Sequence, residues 1–345
     1  MPGDARVGTR NLRALVLAAG YGTRLRPLTD DLPKPLLPVL GAPLLARTLD
    51  VLAAVGSSAT AINLHHRAEA IPAAFGDRHR GMPLVYSREE PILGTSGAFV
   101  PLRDFFAGAD TVLLVNGDSL CDWPLAELLA RHRRRGAVAT MLLAGRPDPR
   151  PFGGGIGIDR GGRVTAIRSE PTFGPVVRRH VYAGAYALSP RLLDRLPPGF
   201  SDSMNDLFPP VLAAGERIDA LVTWRPWHDL GTPARYLDAL RDLARREGPH
   251  GYRGEGARVE ADADVRDAVL ERDSSVGAGA SVEASLVMPG ARVGARSRLR
   301  RVVVGPDAAV PPESEWSAAL LTRWHAAATT LPGSRREGDL LVTPF

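Results

Sequence analysis

Lysine is nearly absent: Lys34 is the one lysine among 43 Lys and Arg residues, and every other member of that set is arginine. Glutamine is missing altogether. The single cysteine, Cys121, excludes a disulfide framework and a cysteine-cluster metal site, and it suits a reducing compartment. No apolar run approaches the roughly 18 residues that a membrane-spanning helix needs. Met1 to Leu12 is polar and contains Gly and Pro, unlike a secretory leader. The expectation is a cytoplasmic chain without a membrane partner. A pI near 9.8 accompanies a net charge of only +5, because arginine barely titrates. The densest basic run, Arg131 to Arg135, ends a predicted helix beginning near Pro124, where cations complement the C-terminal dipole. Nucleic acid is therefore not an expected partner.

What is present fits a globular chain of two domains: 345 residues, 44 % hydrophobic and 23 % charged. From Leu12 to about Arg246, short β-rich runs alternate with helical patterns. Leu12–Ala18, Thr60–Leu64, Leu84–Ser87 and Thr111–Asn116 read as buried strands. Helices are predicted near 44–55, 67–75, 96–105 and 124–135. This alternation indicates a mostly parallel sheet whose ligands meet the loops leaving the strand C-termini. Longer β segments follow after Gly136, and helices resume at 204–214 and 233–245.

Gly248 to Gly254 is rich in chain breakers and reads as a linker. Beyond it Val259, Val265 and Leu270 recur as Val276, Val282 and Val287, then as Val293, Leu299 and Val304, then Val310. The steps of 6, 5 and 6 add to a 17-residue period flanked by Gly and Ala, which predicts a three-sided β-solenoid. Trp316, Leu320, Leu321 and Trp324 follow helical spacing and predict a short amphipathic helix. The expected layout is a disordered tail over 1–11, an α/β domain over 12–247, the solenoid over 248–312 and a tail over 313–345.

Leu15 to Pro27 is a strand running into a loop with Gly20 and Gly22, whose backbone N–H groups can turn toward phosphate oxygens. A Walker loop would need Gly-Lys-Ser/Thr, and a dinucleotide fingerprint would need glycine where Leu25 stands. Arg24 lies in the loop. Lys34 follows shortly after, between Pro33 and Pro35, which hold its backbone and direct its charge. Asp118 ends an apolar strand, and Asp229 follows Trp227-His228 at the end of another. Carboxylates at strand ends suit Mg²⁺ held against substrate phosphates. His65-His66 is not a shared ligand pair, because neighbours in a strand face opposite ways. Trp224, Trp227 and Tyr236 are expected in the core.

Gly20-x-Gly22-Thr23-Arg24-x-x-Pro27-Leu28-Thr29, with Pro33-Lys34-Pro35, resembles the signature of sugar-1-phosphate nucleotidyltransferases, the nucleotide-sugar pyrophosphorylases. The likeness continues through Leu93 to Ala98, Val115 to Asp118 and Trp227 to Pro233, and the overall layout is most similar to mannose-1-phosphate guanylyltransferase-type members. The resemblance implies a Rossmann-like mixed α/β sheet domain followed by a short left-handed parallel β-helix. It implies Mg²⁺-dependent transfer of a nucleotidyl group from a nucleoside triphosphate to a sugar-1-phosphate, releasing pyrophosphate. GTP is favoured, with UTP or dTTP as alternatives, and a homo-oligomer through the β-helix is an expected assembly. Arg24, Lys34, Asp118 and Asp229 would be catalytic, with Asp118 and Asp229 as the metal ligands. Ala19, Gly20, Gly22, Thr23, Glu90, Gly94 and Thr95 would bind the nucleotide; Glu89 or Glu90 can accept from the base.

Gly153, Arg168, Glu170 and Gly184 occupy places of the family's sugar-phosphate motifs. Many relatives carry Glu-Lys-Pro where this chain has Ser169-Glu170-Pro171, so Glu170 would repel the acceptor phosphate and Arg168, Arg178 or Arg179 must supply the charge. Tyr182 stands where mannose- and glucose-specific members commonly have asparagine. No general base is needed, because a sugar phosphate is already an anionic nucleophile. Two other functions compete: a catalytically silent relative that binds a nucleotide-sugar and regulates a partner, and a solenoid acyltransferase. The second lacks the histidine such coils use.

Overall fold

A computed structural model describes residues 11–169, 171–248 and 251–345. The expected tail lies outside the described residues except for Asn11. By internal contacts the chain forms two units, one comprising 1–20 and 47–227, the other 21–46 and 228–345. They are not colinear with the boundary expected at 247/248.

The first unit is built on a sheet of β1 (Leu12–Leu17), β2 (Ala59–Leu64), β3 (Met82–Arg88) and β4 (Thr111–Asn116), continued by β5 (Ala139–Ala144), β6 (Arg178–Leu188) and β7 (Ile218–Thr223). The order is β3-β2-β1-β4-β6-β5-β7, with β6 antiparallel to both neighbours and every other pair parallel. Side chains at alternate positions on both faces are apolar, so β1 and β4 are buried almost throughout. Leu15, Leu114, Met141 and Tyr186 meet Phe99, Phe106 and Phe208 in one core. The chain proceeds from β1 to one side and returns to the other side at β4. The C-termini of these two strands form the topological switch point, where open α/β sheets place their ligands.

Two expected helices are shorter than their sequence patterns. The stretch 96–105 is a one-turn helix Gly94–Gly97 and two further short turns, because Pro101 withholds a main-chain donor and Gly97 packs where any Cβ would strike Gly199 O. The stretch 204–214 is a wide turn Ser203–Leu207 and a helix Phe208–Ala213. Trp224, expected in the core, is exposed, whereas Trp227 is half-buried and Tyr236 fully buried.

The helix Leu125–Arg135 carries the basic run, in which Arg131 is half-buried and Arg133, Arg134 and Arg135 are exposed. Arg131, Arg135 and Arg217 converge at 3.3–3.6 Å on the fully buried Asp219. His132, on the same helix, is buried with Nδ1 3.0 Å from Thr140 Oγ1, and burial lowers its pKa to about 4, assisted by Arg133. Folded His132 thus stays neutral while an unfolded imidazole protonates near pH 6.5. Its contribution is complete above pH 6.5 and is lost as pH falls from there toward 4, by at most roughly 3 kcal/mol. Unfolding by urea at pH 7 and pH 4.5 should show a larger acid loss for the wild type than for His132→Gln. Parallel losses in the two proteins would refute the assignment.

The second unit contains the solenoid. Val269, Leu286, Val303 and Leu320 stack in parallel register, each 17 residues after the last, and the series begins at Tyr252. Ser275, Arg292 and Ala309 make a second face, and Ser281, Arg298 and Glu315 a third. Val276, Val282, Val287, Val293, Leu299 and Val304 point into the core, as the repeat predicted. The amphipathic helix expected over 316–324 is instead a strand, Glu315–Arg323, paired in parallel with Arg298–Val304. Leu299 stacks on Trp316 and Val304 on Leu321, so the repeat simply continues for one more coil. A strand there satisfies the main-chain edge of the previous coil, which a helix would leave open. The antiparallel strand Leu340–Pro344 then covers the edge of that last strand. Among the described residues no helix is long and apolar enough to cross a membrane.

Candidate active site

At the switch point of the first unit, the loop Ala18–Gly20 leaves β1 beside the turn Gly117-Asp118 that leaves β4. Gly117 donates its N–H to Leu17 O at 2.9 Å, and a Cβ at Gly117 would lie 2.9 Å from that oxygen, so glycine is what lets the two strand ends close up. Asp118 stands in the turn between β4 and the strand Ser119–Cys121, with Ser119 Oγ 3.3 Å from its Oδ1. It caps no helix; Pro124 precedes the next one.

A chain of buried hydrogen bonds fixes the β1 loop. Asn63 Oδ1 accepts from Ala18 N at 2.6 Å, and Asn63 Nδ2 donates to Glu89 Oε1 at 2.8 Å. Glu89 Oε2 accepts from Leu93 N at 2.8 Å. Glu89, only 1 % exposed, is therefore occupied as a brace, whereas Glu90 is exposed. Asn63 was not singled out in the sequence; its place at a strand end beside the histidine pair was the available signal.

Gly94 has φ +80°, and any Cβ there would lie 2.5 Å from Ser201 O. The turn it opens accordingly wraps Ser201 and Asp202. Ser96 and Gly97 donate N–H to Ser201 O at 2.9 and 3.0 Å. Thr95 Oγ1 donates to Asp202 Oδ2 at 2.9 Å and accepts from Ser203 N at 2.7 Å. Its hydroxyl thus ties two loops together instead of capping the helix Gly94–Gly97, which has no side-chain cap.

Of the expected acceptor residues, Gly184 sits in a bulge of β6, and Gly153 and Arg168 lie close to one another. Gly184, at φ +93°, brings the bulge against Asn116, two residues before Asp118, where a Cβ would lie 3.2 Å from Asn116 Cβ. Trp227 Nε1 donates to Ala183 O at 2.8 Å, and its ring meets Phe152 edge-on at 5.6 Å, beside Gly153. The Tyr182 hydroxyl is closed off without a hydrogen-bond partner. Burial first, and then Tyr186 and the Asp202 and Asp118 carboxylates, raise its pKa well above 10. Arg168 is exposed at φ +60°, and Arg179 braces that turn by donating to Arg168 O and, at 3.2 Å, to Ser169 O. Glu170 lies outside the described residues.

In the second unit, Gly22 takes the left-handed conformation at φ +63° and opens the turn Thr23–Leu25 that presents Arg24. Thr29, fully buried, donates from Oγ1 to Gly22 O at 2.9 Å and pins that turn. The Arg24 guanidinium lies against Gly231, where a Cβ would come within 2.8–2.9 Å of it. Gly231 therefore makes room for Arg24 two residues after Asp229. Asp229 Oδ2 is ion-paired with Arg235 Nη1 at 2.5 Å. Lys34 is only 6 % exposed, at the start of a turn Lys34–Leu36. Among the described residues no cluster of three His, Cys, Asp or Glu side chains gathers as a self-sufficient metal site. The donors are hard carboxylate oxygens, and Mg²⁺ commonly takes one or two of these with substrate phosphates completing its shell, so the residues fit that ion.

A nucleotidyl transferase family profile matches residues 13–246, and a GlmU-like C-terminal hexapeptide profile matches residues 254–316. The mannose-1-phosphate guanylyltransferase of Mycobacterium tuberculosis is 33 % identical over 308 residues, covering 86 % of this chain and 85 % of its own. A UTP–glucose-1-phosphate uridylyltransferase of Synechocystis is 30 % identical over 249 residues, covering 68 % and 64 %. Among solved structures, HddC from Yersinia pseudotuberculosis superposes with a TM-score of 0.56 at 23 % identity, over 67 % of this chain and 99 % of that one.

Proposed function

The chain belongs to the nucleotidyl transferase family, and from that premise we propose that it joins a nucleoside triphosphate to a sugar-1-phosphate with release of pyrophosphate, using GTP and a mannose-1-phosphate-like acceptor in the presence of Mg²⁺. The carrying observation is the switch point, where the Ala18–Gly20 loop and Asp118 share the C-terminal ends of β1 and β4.

The reaction brings two polyanions together in line, so charge neutralisation and positioning dominate the barrier. Main-chain N–H groups at Ala19, Gly20, Gly22 and Thr23 would hold phosphate oxygens. Arg24 would grip the triphosphate and Lys34 the α-phosphate, where negative charge builds as the acceptor oxygen attacks. Asp118 and Asp229 would hold Mg²⁺, which when bound neutralises charge on the phosphate oxygens. Asp229 can serve by its second oxygen, or by releasing Arg235. Glu90 would accept from guanine, whose edge offers adjacent N–H donors to a carboxylate, and Gly94 and Thr95 would shape the loop that covers the base. Gly153, Gly184 and Arg168 would receive the sugar phosphate, with Arg168 in place of the lysine that relatives carry one position beyond Ser169.

Support for GTP and mannose comes from the names of the most similar relatives; a uridylyltransferase among them keeps UTP and glucose-1-phosphate in the panel. Pyrophosphate release, assayed with each triphosphate against a set of sugar-1-phosphates and Mg²⁺, should be fastest with GTP and mannose-1-phosphate. Release with no pair, alongside measurable nucleotide binding, would replace this reading with that of a silent, nucleotide-sugar-binding relative.

A further inference from the structure

The segment 21–46, which carries Arg24 and Lys34, has little regular structure, and residues far along the chain tie it down. Thr329 donates twice to one carboxylate: its main-chain N–H to Asp30 Oδ2 at 2.7 Å, and its hydroxyl to Asp30 Oδ1 at 2.9 Å. His325 Nε2 lies 3.1 Å from Asp31 Oδ2. Both carboxylates belong to the one-turn helix Leu28–Asp31, which directly follows the loop. Farther along, the buried Glu271 accepts from Gly41 N at 2.9 Å, and the Tyr236 hydroxyl donates to Pro38 O. A cavity of about 370 Å³ opens between Leu28 and Leu32 on one side and Thr322 and Trp324 on the other. Leu28 and Thr29 of the short helix are buried, and the Asp31–His325 pair at the cavity and the Asp30–Thr329 tie add polar links to that packing.

We propose that Thr329 and Asp30 are positioning residues for the nucleotide loop, so that the connection between the strands Glu315–Arg323 and Leu340–Pro344 sets the aim of Arg24 and Lys34. The path is short. Thr329 holds Asp30; the adjacent Thr29 donates to Gly22 O; and Gly22 opens the turn that carries Arg24. Two donors on one carboxylate make a stronger and more directional tie than a single neutral bond. A pre-positioned loop loses less freedom when nucleotide binds, so the tie acts on nucleotide affinity.

This inference rests on the reading that Arg24 and Lys34 meet the triphosphate, and it has a readout that needs no turnover. In Asp30→Ala, backbone amides of Leu25, Arg26 and Asp30, bonded within the segment, should exchange with deuterium faster at an unchanged unfolding midpoint. In the enzyme assay, Thr329→Val should raise KM for the nucleotide about threefold and Asp30→Ala about tenfold. KM for the sugar-1-phosphate should not move, and Thr329→Ser should restore the wild-type value. If Asp30→Ala does not fold, Thr329→Val carries both readouts. Unchanged exchange in the segment, or both KM values rising in step with lost thermal stability, would overturn the proposal. Faster exchange in a protein that releases no pyrophosphate would leave the tie standing and refute only the activity.

Discussion

Lys34→Met is expected to lower kcat/KM for pyrophosphate release by on the order of 10³-fold, the scale of removing one pre-placed charge from a developing anion in a shielded site. Three observations support so large an effect. The residue is 6 % exposed, so its ammonium works where solvent screening is weak. Pro33 and Pro35 flank it, and the turn Lys34–Leu36 is closed by Leu37 N donating to Lys34 O at 3.1 Å, so the stem leaves a fixed backbone. No other lysine exists in the chain to take its place. Lys34→Arg should recover little, because a planar guanidinium is larger and aims its donors differently from a point ammonium. The same scarcity supplies a chemical check. Acetic anhydride can acetylate only this ε-amine besides the N-terminus, and bound GTP should shield it, as read by mass spectrometry. Activity of Lys34→Met within tenfold of wild type, at an unchanged unfolding midpoint, would remove Lys34 from the reaction.

The parallel half of the sheet and the solenoid were legible because their signals are periodic and local. Buried strands such as Thr111–Asn116 are continuous apolar runs, and the coil positions recur every 17 residues. The last coil was hidden by an ambiguity of period. Trp316, Leu320 and Leu321 fit helical spacing, yet they also fall 17 residues after Leu299, Val303 and Val304, and edge pairing decides between the two. The ties of the active segment were not legible. Thr329–Asp30 joins positions 299 apart and Glu271–Gly41 positions 230 apart, and no local pattern announces either. For the candidate site, the strand-end placement of motif residues such as Asp118 could be read directly. Their supports could not: Asn63, Asp202 and Thr29 are small polar residues whose importance comes only from what the fold puts beside them.

Asp118→Asn tests the other half of the charge arrangement, and a loss of on the order of 10³-fold in kcat is expected. The substitution keeps shape and hydrogen-bonding capacity and removes one negative charge. A purely structural role, in which the side chain merely closes the turn after β4 near Ser119, would therefore survive it. Stability points the same way. The Asp118 carboxylate is one of the charges that make ionisation of the buried Tyr182 hydroxyl unfavourable, and Tyr182 is neutral at pH 7, so losing that charge should not destabilise the fold. An unfolding midpoint equal to or slightly above that of the wild type is expected. If Asp118 holds Mg²⁺, the variant should also need a higher Mg²⁺ concentration for half-maximal rate, because a neutral amide oxygen is a poorer ligand for a hard cation than a carboxylate. A variant with wild-type turnover would refute the assignment outright. One with low turnover but an unchanged Mg²⁺ requirement would place Asp118 against substrate rather than metal.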